Sequence, residues 1–344
     1  METLRLDPKK DTAAVRTAAG IIKRGGLVAM PTETVYGLAA NAFDEAAVEN
    51  IFRAKGRPQD NPLIVHIADI AMLDELCTDI SDMARNIARA FWPGPLTVIL
   101  KKRPVIPDVV TCGLDSVGIR FPSHKTAQAL ILEAGLPLAA PSANTSGKPS
   151  PTCAAHVLLD MDGRIDAVLD GGECEIGVES TVLNLTGDVP VILRPGGVTL
   201  EMIKKIAPEA RAADFNRTPD AGERVLSPGM KYRHYAPKAP VTLITGGAAD
   251  AARYIEAHAD KAGLGIMCFD ECEAVFRPLT PYIHTYGRRD DLLSQSSHIF
   301  SALRAFDSEP VKRIFVYATG DTRGLGMAIN NRLSKAAGFD IVNL

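Results

Sequence analysis

Between Asp11 and Lys23, apolar residues recur every three or four positions. Ala14, Val15, Ala18, Ile21 and Ile22 share one face, which predicts an amphipathic helix. The pattern then shifts to short β-type runs at Leu27–Met30, Leu63–Ile67, Leu96–Lys101, Val117–Phe121, Leu138–Ala140, Ala167–Leu169, Ser180–Leu185 and Val191–Leu193. Helices fit between several of them, with Asp44, Ser81, Ser123 and Thr152 as expected N-caps. A helix-like segment is expected to follow the loop Thr32–Tyr36 and to end at Lys55-Gly56-Arg57-Pro58. Strands that alternate with helices, mixed with strands in succession, predict an α/β sheet with parallel and antiparallel neighbours.

Past Ala207 the pattern breaks. Residues 208–240 carry Pro208, Pro219, Pro228, Pro237 and Pro240 and read as an extended linker. Within it, Ser227–Pro237 (SPGMKYRHYAP) is too rich in aromatic and basic residues for plain disorder. From Val241 a regular alternation returns. Strands at Val241–Thr245, Leu264–Cys268, Ile283–Tyr286 and Arg313–Tyr317 alternate with helices near 249–261, 290–305 and 324–337. That is a small doubly wound, Rossmann-like α/β pattern. Thr245-Gly246-Gly247 follows its first strand but is not GxGxxG. The expected organisation is a catalytic domain over 1–207, a linker over 208–240 and a second domain over 241–344. A chain of 344 residues suits two domains.

Composition narrows the classes. Hydrophobic residues make up 46% and charged residues 23%, the balance of globular proteins. A formal net charge of −3 supplies no global basic field for nucleic acid and leaves only a local basic cleft open. No run of 18 apolar residues and no apolar N-terminal core is present, so no membrane association is expected and the expected compartment is the cytoplasm. Of six cysteines only Cys268 and Cys272 are close, without a second pair or a His at zinc spacing. Reduced, buried thiols are the expected state.

Four constellations carry candidate chemistry. Lys55 and Arg57, with Asn61 beyond, either converge on phosphate oxygens or complement a helix C-terminus. The loop Pro141–Gly147, continuing to Lys148, Pro149 and Ser150, offers backbone N–H groups and the polar side chains of Ser142 and Asn144. Such a loop cradles phosphate or forms an ordinary turn. Ser180 and Thr181 open one strand as ligand contacts or caps, and Arg194 ends the next as an anion contact. Trp92-Pro93-Gly94-Pro95 reads as a structural turn, and His66 and Arg120 each end a β run. Walker, nucleophile-elbow, zinc-protease and kinase signatures are all missing, so any nucleotide is held in a non-Walker manner.

Taken together, these motifs resemble the threonylcarbamoyl-AMP synthase family, built on the YrdC-like domain. PTETVYGL, KGRP with Asn61-Pro62-Leu63, the Trp92–Thr97 turn, Gly118–Pro122, Pro141–Asn144 with Ser146-Gly147, Glu179–Val182 and Arg194–Gly196 occur in the family's order. The likeness extends through Ser227–Pro237 and Gly324–Leu333, as in the long, two-domain form. It implies a YrdC-like twisted mixed sheet with flanking helices. It also implies a nucleotidyltransferase that joins L-threonine, bicarbonate (or CO2) and ATP into L-threonylcarbamoyladenylate with release of pyrophosphate. Mg2+ is expected with ATP, and a separate tRNA threonylcarbamoyl transferase complex is the expected downstream partner. By this resemblance Lys55 and Arg57 are catalytic cations. Thr34, His66, Arg120, Ala140 and Ser180 line the threonine pocket, and Arg57, Asn61, Ser116, Ser142, Asn144, Ser150, Arg194 and Tyr235 contact ATP. Tyr235 and its neighbours are expected to fold over the pocket mouth and exclude water. The rival reading is a YrdC-like module that binds RNA without catalysis, and weak RNA binding stays among the expected interactions.

Overall fold

Asp44 opens a helix by accepting the Ala47 amide at 3.1 Å, and Gly56, at φ 60°, closes it. Local signals of this kind set several helix ends in the computed structural model, which describes residues 2–215, 226 and 235–344. Ser81 caps its helix as expected, accepting the Ala84 amide at 3.2 Å. The helix expected from Asp11 starts at Ala14, because the Asp11 side chain instead accepts the Ala13 amide.

The first unit comprises residues 1–146, 151–175 and 179–231. Among its described residues the elements, in chain order, are β1 (Leu4–Leu6), α1 (Ala14–Lys23), β2 (Val28–Met30), β3 (Gly37–Asn41), α2 (Glu45–Lys55), β4 (Ile64–His66), α3 (Ala71–Leu76), α4 (Asp82–Phe91), β5 (Leu96–Lys101), α5 (Asp108–Thr111), β6 (Ser116–Arg120), α6 (Lys125–Ala134), β7 (Leu138–Ala139), α7 (Ala154–Met161), β8 (Ala167–Leu169), β9 (Thr181–Asn184), β10 (Val191–Arg194), α8 (Leu200–Lys204) and β11 (Arg211–Ala212). The strands form one mixed sheet in the order β1-β8-β2-β3-β7-β4-β6-β5-β9-β10-β11. Alternation along the strands divides its apolar residues between two cores. Ala29, Leu38 and Ala40 join the larger core with α2, α4 and α7, whereas Val28, Met30 and Ala39 pack with α1 and α6.

The second unit contains β12 (Val241–Thr245), α9 (Ala248–His258), β13 (Leu264–Cys268), α10 (Glu273–Phe276), β14 (Tyr282–Thr285), α11 (Leu292–Ala305), β15 (Arg313–Ala318), α12 (Gly324–Ala336) and β16 (Ile341–Asn343). Its sheet, ordered β14-β13-β15-β12-β16, is parallel throughout. Helices α9 and α10 pack together, as do α11 and α12, which makes the doubly wound pattern. Two short segments, Gly147–Ser150 and Ile176–Val178, group with this unit although chain order places them among residues of the first.

The expected α/β class with a mixed sheet and a smaller parallel one is the observed class. Several details differ from the sequence reading. The loop after Tyr36 does not run directly into a helix: Gly37–Asn41 is a strand between β2 and β7. Its small residues carry no β-branched signal, so pairing alone makes it a strand. The edge or short strands β1, β11 and β16 were likewise unmarked. His124, not Ser123, caps α6 through Nδ1 and the Thr126 amide. Cys153, not Thr152, precedes α7 and makes no side-chain cap. Most of the expected linker and its water-excluding role, including Ser227–His234, lies outside the described residues.

Candidate active site

Strand register brings residues of separate motifs into one row. His66 pairs with Leu138 on one side and Arg120 on the other, Arg120 with Thr97, Thr97 with Val182, and Val182 with Arg194. The row runs along one end of the sheet from β7 to β10. The Trp92 turn fixes part of it. Its indole donates to the Leu96 carbonyl at 2.8 Å, and the Gly94 amide donates to the Phe121 carbonyl. The start of β5 is thereby tied to the end of β6.

Arg120 is the charged centre of the row. Its Nη2 lies 2.8 Å from Glu33 Oε1, with the two side chains only 5% and 3% exposed. The same nitrogen donates to Thr32 Oγ1 at 3.4 Å, and the Thr32 and Thr34 hydroxyls are 2.9 Å apart. Glu33 also accepts the Ser123 amide through Oε2. Arg120 Nε is buried with no hydrogen-bond partner among the described residues. Along the sequence Glu33 stands in the Thr32–Tyr36 loop with no role assigned to it. No local signal reveals a charge partner 87 positions away.

His66 is buried beside Arg120, with Nδ1 3.2 Å from the Ile64 carbonyl. Burial, and then the neighbouring guanidinium, depress its pKa to about 3. The imidazole is therefore neutral near pH 7. Because the unfolded chain binds this proton near pH 6.5, stability from keeping His66 neutral is complete above that value. It falls as pH drops toward about 3, by at most about 1.4 kcal/mol per pH unit. His66→Gln is expected to show a shallower loss of thermal stability than wild type between pH 6.5 and 4. Parallel melting curves would contradict the assignment.

At the far side of the row, Ser180 Oγ lies 2.8 Å from Thr97 Oγ1 and accepts Arg194 Nη2 at 3.1 Å. Arg194 Nε also donates to the Ser180 carbonyl at 3.0 Å. Thr181 serves the fold: its hydroxyl donates to the Val198 carbonyl at 2.6 Å. Gly196 sits so close to the 179–181 backbone that a Cβ would lie 2.3 Å from the Thr181 amide. The approach of β10 to Ser180 therefore requires glycine there.

The Pro141–Ser146 loop is held from two directions. Lys55, the last residue of α2 and 1% exposed, donates through Nζ to the carbonyls of Ser142 (2.5 Å) and Asn144 (2.6 Å). The Ala143 amide donates to the Tyr36 carbonyl, and the Leu38 amide to that of Pro141. Ser142 Oγ in turn donates to Asn144 Oδ1. Ala140 is buried next to this loop, with its amide on the Ile64 carbonyl.

Arg57 Nη2 donates to the Asn61 carbonyl at 3.0 Å, within its own loop. Asn61 is 1% exposed, and its Oδ1 is buried with no hydrogen-bond partner among the described residues. Ser116 is buried at the start of β6, four residues and roughly 13 Å from Arg120 at its end. Ser150 and Tyr235 belong to the second unit. Among the described residues no group of three or more His, Cys, Asp or Glu side chains is placed to hold a metal ion. No described helix is long and apolar enough to cross a membrane. Burial raises the thiol pKa of Cys268 to about 12, which keeps it protonated.

The buried row of paired arginines, hydroxyls and a neutral histidine is carried by a large mixed sheet, which places the chain in the mixed α/β class. Two family models match the chain. One, described as telomere recombination and covering Sua5, YciO and YrdC, matches residues 20–196. The other, described as the C-terminal domain of threonylcarbamoyl-AMP synthase, matches residues 198–338. Threonylcarbamoyl-AMP synthase of Bacillus subtilis (strain 168) is 46% identical over 95% of this chain and 94% of its own length. The enzyme of that name from Pyrococcus abyssi is also 46% identical, over 96% of both chains. A crystal structure of Pyrococcus abyssi Sua5 complexed with L-threonine superposes with a TM-score of 0.91 at 43% identity, covering 100% of each chain. The chain belongs to the threonylcarbamoyl-AMP synthase family in its two-domain form, and it is an enzyme of nucleotidyltransferase type.

Proposed function

We propose that this enzyme makes L-threonylcarbamoyladenylate from L-threonine, bicarbonate (or CO2) and ATP, releasing pyrophosphate. The product would feed N6-threonylcarbamoyladenosine formation beside the tRNA anticodon through a separate transferase complex. The observation that carries the reading is the row Arg120–Thr97–Ser180–Arg194, with Arg120 Nε left as a buried donor. Support comes from the names of the full-length relatives and from the L-threonine bound in the Pyrococcus abyssi structure.

In this reading the threonine carboxylate takes the open edge of the Arg120 guanidinium. Glu33 offsets the rest of that charge, so the amino acid binds without leaving a bare buried cation. Thr34, Ala140 and Ser180 complete the pocket. His66, neutral and weakly basic, acts as a hydrogen-bonding wall rather than a proton acceptor. The threonine ammonium gives up a proton to solvent, and the free amine and bicarbonate then condense to the carbamate with loss of water. A carbamate oxygen then bonds to the α-phosphorus of ATP as the bridge to the β-phosphate breaks, and pyrophosphate leaves with that electron pair. This step needs positioning and cationic donors more than a covalent nucleophile. Arg57, Asn61, Ser116, Ser142, Asn144, Ser150, Arg194 and Tyr235 are the proposed ATP contacts. Lys55 acts by shaping the Ser142–Asn144 loop that faces the phosphates. Mg2+ prefers several oxygen ligands, and the described residues gather no carboxylate cluster, so it would enter on the triphosphate as part of the substrate.

The test is pyrophosphate release from ATP with threonine and bicarbonate each omitted in turn. Release is expected only when both are present. Equal release without either one would refute the reading, as would RNA binding with no pyrophosphate formed.

A further inference from the structure

Tyr235 is held within the second unit by an unusual set of contacts. It is 6% exposed and has φ 65°, a left-handed backbone that a bulky side chain keeps only when its surroundings impose it. Its ring stacks on Phe300 of α11, with centroids 5.2 Å apart and planes inclined by 29°. The guanidinium of Arg332, on α12 and fully buried, lies 5.6 Å from the same ring. Arg332 is itself braced by Asn331 Oδ1 at 2.9 Å.

Helix α11 also contacts the unit's other short segments. Arg304 of α11 donates to the Pro149 carbonyl, immediately before Ser150. The Ala236 amide donates to the Gly147 carbonyl at 2.9 Å. At Gly177, φ is 73° and a Cβ would lie 2.4 Å from the Ser297 Cα on α11. In sequence these segments continue from the Ser142–Ser146 loop and lead into Glu179-Ser180-Thr181.

We propose that Phe300 and Arg332 are positioning residues for the adenylation reaction: the α11–α12 face is a preformed seat that fixes the Tyr235 ring for contact with ATP. The proposal rests on the function assigned above, and it gives the C-terminal unit a direct task. A ring stacked on an aromatic face and approached by a planar cation loses its rotamer freedom before the nucleotide arrives, so less ordering is left for the binding step. The seat acts on ATP through Tyr235 and leaves the threonine pocket alone.

The test is a mutant cycle in the full-length enzyme, reading KM for ATP and for threonine separately by pyrophosphate release. Phe300→Leu removes the stack and keeps an apolar side chain. It is expected to raise KM for ATP about threefold to tenfold with KM for threonine within about twofold. Arg332→Lys keeps the charge but loses the planar face, and is expected to shift the same constant in the same direction. Adding Phe300→Leu to Tyr235→Ala is expected to cost no more than Tyr235→Ala alone. Fully additive effects, or equal changes in both KM values, would overturn the seat. If Phe300→Leu fails to fold, Arg332→Lys and its Tyr235→Ala double variant decide by the same criteria. Wild type without threonine- and bicarbonate-dependent pyrophosphate release would refute the functional reading first, before any variant is compared, and the seat with it.

Discussion

Lys55→Met is expected to lower pyrophosphate release by about a hundredfold or more while the protein still folds. The reason lies in what Lys55 Nζ does. It bonds the carbonyls of Ser142 and Asn144 from a position that is 1% exposed. Methionine fills the same space and bonds neither. Each abandoned carbonyl costs about 1–3 kcal/mol, so the closed arrangement of this loop loses about 2–6 kcal/mol. That is enough to displace Ser142 and Asn144 by a fraction of their hydrogen-bond length. Misplacement on the scale of about 1 Å is sufficient for a hundredfold loss in a reaction that depends on alignment. Pyrophosphate release at saturating substrates checks this, with circular dichroism confirming the fold. Activity within about threefold of wild type would mean that the clamp is dispensable.

The second large effect is on stability. Glu33→Gln removes the carboxylate that compensates Arg120 in a setting where both side chains are almost fully enclosed. Breaking one side of a buried pair costs about 3–5 kcal/mol, because the remaining charge stays desolvated. For a unit of this size that lowers the thermal midpoint by about 6–20 °C. In Glu33→Gln/Arg120→Gln the stranded charge is gone, so the double variant is expected to be more stable than Glu33→Gln alone. L-Threonine, whose carboxylate would replace the missing partner, is expected to raise the midpoint of Glu33→Gln more than that of wild type. If Glu33→Gln melts with wild type, the pair has no structural role. If threonine stabilises both proteins equally, Arg120 does not hold its carboxylate.

Both predictions concern contacts between residues far apart in the chain, and that separates what was legible in the sequence from what was not. Lys55 and Arg57 stand two residues apart and invite the idea that they point together. Gly56 in a left-handed conformation ends the helix between them; Lys55 Nζ bonds the Ser142 carbonyl, 87 positions on, and Arg57 Nη2 the nearby Asn61 carbonyl, and only the first of these contacts is long-range. Arg120 suggests an anion contact from its place at a strand end, but its partner Glu33 comes from another motif. The strand Gly37–Asn41 shows the same limit. Leu38 and the two alanines are unremarkable in sequence and become a strand only between β2 and β7.

The sequence by itself determined the local features: the apolar runs that became β5, β8, β12 and β13, the caps at Asp44 and Ser81, and the motif loops with their polar side chains. These arise from side-chain period and from hydrogen bonds spanning three or four residues, so a short stretch of chain contains all the information. Only the tertiary structure decided the row from His66 to Arg194, the neutrality of His66, the Glu33–Arg120 pair and the seat around Tyr235. Each depends on which distant groups share a buried space. Desolvation and charge compensation are properties of that space, and it exists only once the strands have paired and the helices have packed.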